Sequence, residues 1–387
     1  MLNLSHTLSR RRAVALSSVG LLAALSGCGG TGGIQEDPQA AEFGTIKISK
    51  GLSQETETVA NIYAQALQEA GYSVEIVDTG DTREDYLNAM GGLEEPEAST
   101  ASASPTGITP SADPATVDLT PDYSGNLLYE LTDDGAFSTA YIEQQRKASA
   151  EATQSASAEV TSAEVTSAES AEANETPTAL ATPSPQETSL QAPSMSSSDI
   201  LDSIDRLLPS TLQLLAASDG QNRDALVVTQ ATAAKYELNS MTDLSDYCKK
   251  LIFGVTTKFS EKPHGLKALS EYYQCKPKAV KIFDDQTELS RALASNEVQV
   301  ADIYSASSQI SQNAYKVLDD PAGIFIPQQV VPIMRVNELP SSAQNAVNTV
   351  SRQITTDDLK TFDRLTHGSE AMTPEEVAKF WLERSTE

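Results

Sequence analysis

The 387-residue chain has little of what common enzyme classes depend on. It holds three histidines, His6, His264 and His367, and three cysteines, Cys28, Cys248 and Cys275. There is no Gly-x-Ser-x-Gly, no His-Glu-x-x-His and no glycine-rich loop of the phosphate-cradling kind. No spacing of His, Cys and carboxylates reads as a metal site. These absences argue against an enzyme and imply no metal and no cofactor. Basic residues are also scarce: 27 Lys and Arg face 54 Asp and Glu, a net charge of −27. That balance argues against nucleic acid, whose phosphates need cations, and describes a solvated, self-repelling surface. Past the first 27 residues no apolar run is long enough to span a membrane. Aromatics make up 5% of the chain, and the single tryptophan, Trp381, is expected in the core.

What is present begins at the N-terminus. Arg10-Arg11-Arg12 is followed by a mostly apolar stretch from Ala13 to Leu25 and then by Ser26-Gly27-Cys28. A basic region, a short apolar region and small residues before a cut form a secretory signal. The stretch is shorter than the ~20 residues a membrane helix needs, which argues against an uncleaved span. Leu25-Ser26-Gly27-Cys28 resembles the lipobox of bacterial lipoproteins, which implies lipidation of Cys28. The mature chain would start there, outside the cell and tethered to the membrane. Ser9-Arg10-Arg11 resembles a twin-arginine export signal. With Cys28 carrying lipid, Cys248 and Cys275 remain as an even pair in an oxidising compartment. They read as a disulfide closing a loop of roughly 27 residues, worth on the order of 3 kcal/mol; two buried free thiols are the alternative.

Two tracts break the folded pattern. Residues from about 94 to 115 are rich in Ser, Ala, Thr and Pro, and those from about 148 to 198 contain the repeat Ser-Ala-Glu-Val-Thr starting at Ser157 and Ser162. Such composition cannot bury enough apolar surface to offset chain entropy, so both are expected as disordered insertions. A wall-spanning or glycosylated stalk is the functional alternative.

Elsewhere strands and helices alternate. Thr45–Ser49 reads as a strand, and Val59, Ile62, Tyr63, Ala66, Leu67 and Ala70 form one helical stripe stopped by Gly71. Ser73–Val77 is the next strand. Further strands are expected at Ala225–Val228, Leu251–Val255, Ala279–Ile282, Val298–Tyr304 and Ile324–Ile326. Helices are expected at Leu266–Tyr273, Thr287–Ala294, Ser341–Gln353 and Thr355–Leu365, with Thr242 as the N-cap of another. Thr373-Pro374-Glu375-Glu376 is a capping box that launches the last helix. The alternation says α/β.

Ordered local segments carry a resemblance. They are Ile48-Ser49-Lys50-Gly51 with Glu55, Val117-Asp118-Leu119-Thr120-Pro121-Asp122-Tyr123-Ser124-Gly125, Asn222–Val228, Ser240–Leu244, Phe259–Gly265, Val298–Tyr304 and Val317–Pro332. Together they resemble the osmoprotectant (glycine betaine/choline) substrate-binding proteins of ABC importers. The resemblance covers about Thr45–Ala89, Val117–Ile142 and Ile200 to the end. It implies a two-lobed periplasmic-binding-protein type II fold with a central ligand cleft. The organisation would be signal peptide 1–27, lipid-anchored tether 28–43, first part of lobe 1 at 44–223, lobe 2 at 224–331 and a return to lobe 1 at 332–387. The implied partners are a small-molecule solute, the permease and ATPase of an importer, and the membrane through the lipid anchor.

The resemblance also implies a site. Tyr123 and Tyr304 match two tyrosines of a cage around a quaternary ammonium. Lys50 matches a carboxylate-gripping lysine, Lys262 stands in place of an arginine, and Asn126 in place of a small hydroxyl residue. Asp224 and Gln328 occupy the positions of two further cage tyrosines, and His264 replaces an acidic residue before Gly265. These departures lead to the expectation of a primary or secondary amine that donates hydrogen bonds to Asp224 and Gln328. A surface receptor or adhesion lipoprotein on the same scaffold is the alternative to an importer component.

Overall fold

A computed structural model describes residues 34–91, 116–132, 194–368 and 370–385. Cys28, the signal segment and most of both expected insertions lie outside the described residues. The chain gives β1 (Ile46–Ser49), α1 (Gln54–Glu69), β2 (Val74–Val77), α2 (Arg83–Ala89), β3 (Leu119–Tyr123) and α3 (Ser124–Leu131). From residue 194 follow α4 (Ser197–Leu207), β4 (Leu212–Leu214), β5 (Leu226–Val228), α5 (Gln230–Tyr236), β6 (Ile252–Thr256), α6 (Thr257–Glu261) and α7 (Ala268–Tyr272). Then come β7 (Ala279–Phe283), α8 (Gln286–Ala294), β8 (Val300–Asp302), α9 (Ser308–Gln312), β9 (Lys316–Val317) and β10 (Val330–Arg335). The chain ends in α10 (Ser341–Gln353), α11 (Thr356–Thr366) and α12 (Pro374–Ser385).

The strands form two five-stranded sheets, β2-β1-β3-β10-β4 and β7-β6-β8-β5-β9. Each is the centre of one α/β lobe. In both, three neighbouring strands are parallel, β2-β1-β3 and β7-β6-β8, and the strand that follows a crossover runs antiparallel beside them: β10 beside β3, β5 beside β8. Two crossovers join the lobes and touch each other. Asn222 N–H donates to the Gln328 carbonyl at 3.0 Å, and Ser218 N–H to that of Val330 at 2.8 Å. The expected return at residue 332 comes slightly earlier, because Val330 and Val331 already pair with Tyr123 and Asp122 in the first sheet.

Local patterning accounts for the elements that matter to the cleft. Ser53 and Thr56 form a capping box on α1, and the stripe Val59, Ile62, Tyr63, Ala66 and Leu67 is fully buried. Gly71, at φ +97°, closes α1 in the left-handed region where a Cβ is penalised. Trp381 of α12 meets Phe362 of α11 edge-on in the same core. Cys248 and Cys275 form a disulfide across lobe 2, with Cα atoms 5.4 Å apart.

Some expectations fail for physical reasons. Residues 34–43, expected as tether, are docked on lobe 1: Asp37 N–H donates to Ala70 at 2.9 Å, and Tyr72 Oη donates to the Asp37 carboxylate at 2.7 Å. The segment 194–198 is already ordered, with Met195 buried and Ser196 capping α4. Ser240, not Thr242, caps the short 3₁₀ turn Met241–Leu244. Ile324–Ile326 forms no strand; the Asp320 carboxylate takes the Gly323 and Phe325 N–H groups instead. Helix α2 and strand β4 were not expected at all.

Candidate ligand-binding cleft

The cleft lies where both sheets present the carboxyl ends of their parallel strands, the usual place for ligands in open α/β sheets. Lobe 1 contributes Tyr123 at the end of β3 and the first turn of α1. Lobe 2 contributes Thr256 at the end of β6, Asp284 after β7 and Tyr304 after β8. Two adjoining hollows, of about 570 and 200 Å³, share Leu52, Ser53, Glu55, Asn222, Lys258 and Tyr304. The smaller chamber adds Arg83, Asp122, Tyr123, Asn126 and Lys262. Gly125 lets α3 approach the return crossover, since a Cβ there would sit 2.8 Å from the Pro327 carbonyl oxygen.

Glu55 is the acid that lines both hollows. Its Oε2 accepts from Tyr123 Oη at 3.0 Å and from Asn222 Nδ2 at 2.8 Å. Its Oε1 is shielded from water and has no hydrogen-bond partner among the described residues. Burial, helped by the negative charge of Asp363, pushes the Glu55 carboxyl up to about 7 against the pull of the two donors. The Tyr123 and Tyr304 hydroxyls are held well above the usual tyrosine range, chiefly by burial. A carboxylate with one oxygen unpartnered among the described residues, beside two tyrosines, suits a cation.

The positions singled out in the sequence divide. Tyr123, Tyr304, Asn126 and Lys262 line the chamber. Lys50, Asp224 and Gln328 are not among the residues lining either hollow. Lys50 Nζ donates to Asp78 at 2.6 Å, which raises its pKa and commits the ammonium outside the cleft. Gln328 is 2% exposed, and its Oε1 accepts the Asn126 N–H at 3.1 Å. Asp224 is 3% exposed; its Oδ2 accepts from His264 Nε2 at 2.9 Å and lies 3.7 Å from Lys262 Nζ. Burial alone would raise the Asp224 carboxyl, but Lys262 and His264 hold it below the usual carboxylate range. Gln328 Oε1 and Asp224 Oδ2 are engaged within the protein, while Asp224 Oδ1, like Glu55 Oε1, is buried with no hydrogen-bond partner among the described residues.

His264 does more than fill a loop. Its Nδ1 faces the Tyr129 hydroxyl of α3, and the two rings stack at 5.1 Å. Lys262 Nζ donates to Asn126 Oδ1, also on α3, at 3.2 Å. Two residues of lobe 1 are thus joined to two of lobe 2, Asn126 to Lys262 on the chamber wall and Tyr129 to His264 outside its lining. Gly265 permits this turn, because a Cβ there would overlap the Phe259 carbonyl oxygen at 1.9 Å.

Sequence reasoning missed Glu55 as the cleft acid, although it fell within a motif, and missed Arg83 altogether. Arg83 opens α2, whose signal was a capping box: Thr82 and Asp85 exchange hydrogen bonds ahead of buried Tyr86 and Leu87. Among the described residues no group of three or more His, Cys, Asp or Glu could hold a metal ion.

Comparison with known proteins agrees with this architecture. The family described as the substrate-binding domain of ABC-type glycine betaine transport systems matches residues 44–384. A solved structure described as a glycine betaine/carnitine/choline ABC transporter superposes with a TM-score of 0.59 at 15% identity, covering 89% of this chain and 98% of that one. Apo YehZ from Escherichia coli superposes with a TM-score of 0.53 at 16% identity, covering 88% and 98%. At those identities the likeness establishes the two-lobed binding-protein fold. The family match, which spans both lobes and every residue of the cleft, makes the chain a member of the substrate-binding domains of ABC-type glycine betaine transport systems.

Proposed function

We propose that this protein captures a small solute bearing a quaternary ammonium or amine in the interlobe cleft and delivers it to the permease of an ABC importer. The observation that carries the reading is Glu55: a shielded carboxylate with one unpartnered oxygen, flanked by Tyr123 and Tyr304. A cation placed there meets a negative charge and aromatic faces together. Family membership supports transport as the purpose of that capture. The Arg10–Cys28 segment supports an export signal and a lipid anchor on Cys28, hence a place on the outer face of the cell membrane. The Cys248–Cys275 disulfide fits an oxidising compartment.

The test is a thermal-stabilisation screen with betaine, choline, carnitine, ectoine, polyamines and amino acids, followed by calorimetry. A ligand at about 100 times its dissociation constant should add about 2.7 kcal/mol to the stability. Stabilisation by ammonium solutes that is lost in Glu55→Gln supports the reading. No stabilisation by any cationic or zwitterionic solute rejects it. Mass spectrometry of the membrane-extracted protein tests the anchor: a diacylglyceryl mass on Cys28 is expected, and an unmodified thiol refutes it.

A further inference from the structure

One stretch of lobe 2 carries a charge opposite in sign to that of the whole chain. Residues 247–281 hold eight lysines against two acids, Glu261 and Glu271, in a protein with 54 acids and 27 basic residues. Folding gathers four of these lysines. The Cys248–Cys275 disulfide, with Cα atoms 5.4 Å apart, brings the chain at Lys249 and Lys250 against the chain at Lys276. Lys278 N–H donates to the Cys248 carbonyl at 3.0 Å and to that of Leu251 at 2.9 Å, which adds Lys278 to the group. All four are exposed, and none forms an ion pair among the described residues. Lys250 Nζ stands 5.5 Å from the centre of the Tyr247 ring, a contact that leaves its charge in place.

The cluster runs into an uncovered strand. β7 starts one residue after Lys278 and is the edge of its sheet, paired with β6 alone among the described strands. Side chains alternate along a strand, so Val280 and Ile282 face one way and Ala279, Lys281 and Phe283 the other. Val280 is 37% exposed and Ile282 50%. Lys281 is taken by Glu297, whose Oε1 accepts from its Nζ at 2.9 Å. β6 and β7 point their carboxyl ends at the cleft, where Thr256 and Asp284 line the larger hollow. The four lysines sit before the amino ends of the same strands, so a partner bound to them leaves the cleft open.

The pairing of lysines with bare aliphatic side chains selects the partner. A soluble polyanion would meet the ammonium groups and gain nothing from Val280 and Ile282. An anionic bilayer meets both: its headgroups face the lysines, whose stems lie along the surface, and the aliphatic side chains reach the acyl boundary. At physiological salt, charges are screened beyond about 8 Å, so the acidic remainder of the protein, turned away from the bilayer, opposes the contact little. We infer that Lys249, Lys250, Lys276 and Lys278 with β7 form a docking surface for an anionic lipid bilayer, a second membrane contact beside the anchor proposed at Cys28. The inference rests on the outer-face location proposed above, and its test needs no lipid on the protein.

The experiment is co-sedimentation of the secreted protein carrying Cys28→Ser, which keeps every described residue and takes no lipid. The vesicles are phosphatidylcholine alone or with about 30% phosphatidylglycerol, in about 0.15 M salt. Each lysine at an anionic surface is worth roughly fivefold in partitioning. The protein should therefore bind the anionic vesicles at least about tenfold more tightly than the neutral ones. Lys249→Glu with Lys278→Glu should abolish that preference, and Ile282→Ser should weaken it about fivefold. Both variants should keep the native melting transition, because the replaced side chains are exposed. Equal binding to the two vesicle types, or a preference that survives the double charge reversal, overturns the docking surface. A preference indifferent to Ile282→Ser, with equal capture of soluble polyphosphate by that variant and its parent, overturns the bilayer as partner. Each of these results leaves lipidation of Cys28 standing, since mass spectrometry decides that separately.

Discussion

The Tyr123 hydroxyl donates to Glu55 at 3.0 Å and so ties the end of β3 to the first turn of α1 on the wall of the cleft. The bond orients a carboxyl that burial has pushed up to about 7. On the proposed reading of the cleft, a proton on Glu55 competes with a cationic solute near neutral pH.

Binding of a quaternary ammonium, which has no titration of its own, should strengthen as pH rises through 7 and Glu55 ionises. Affinity for betaine or choline is expected to be at least tenfold weaker at pH 5.5 than at pH 8. The empty protein should behave oppositely. Its Glu55 holds a proton more tightly than the unfolded chain, from 4.5 to about 7, so this contribution to stability is present at low pH and lost as pH rises through 7. Calorimetry and melting curves across pH check both signs, and Glu55→Gln should flatten both.

Asp224 should prove a stability residue. Asp224→Ala leaves Lys262 without its counter-charge and His264 Nε2 without an acceptor, both buried or nearly so. Removing one member of such a buried pair costs about 3–5 kcal/mol. Urea unfolding should show a lower midpoint. Loss of ligand affinity with undiminished stability would contradict the placement of Asp224 behind the chamber.

The Tyr129–His264 contact joins the lobes without lining either hollow. Tyr129→Phe removes one hydrogen bond, worth about 1 kcal/mol, from the contact between the lobes. About fivefold weaker binding is expected, expressed as faster release. Stopped-flow dissociation measures it; an unchanged off-rate would show that the contact survives opening.

Replacing both Cys248 and Cys275 by Ser should cost about 3 kcal/mol, since the bond closes a loop across lobe 2. The cleft residues do not depend on it, so ligand affinity of the folded double variant should stay within about twofold. Parallel denaturation and calorimetry separate the two effects.

The sequence by itself determined the elements whose signals are local. The stripe Val59 to Leu67, the stop at Gly71 and the capping box at Thr373 all follow from periodicity and cap chemistry within a few residues. It also narrowed Cys248 and Cys275 to a disulfide or two free thiols, and the structure forms the bond. Only the tertiary structure decided which charged groups face the cleft. Lys50 turns to Asp78, Asp224 to His264, and Gln328 to Asn126 some 202 positions away. Arg83 reaches the chamber because Asp122, 39 positions on, holds its guanidinium. A long polar side chain takes whichever partner folding brings beside it, and desolvation makes that choice costly to refuse. No local pattern encodes such a partner, so motif positions located the cleft while packing between distant segments selected its chemistry.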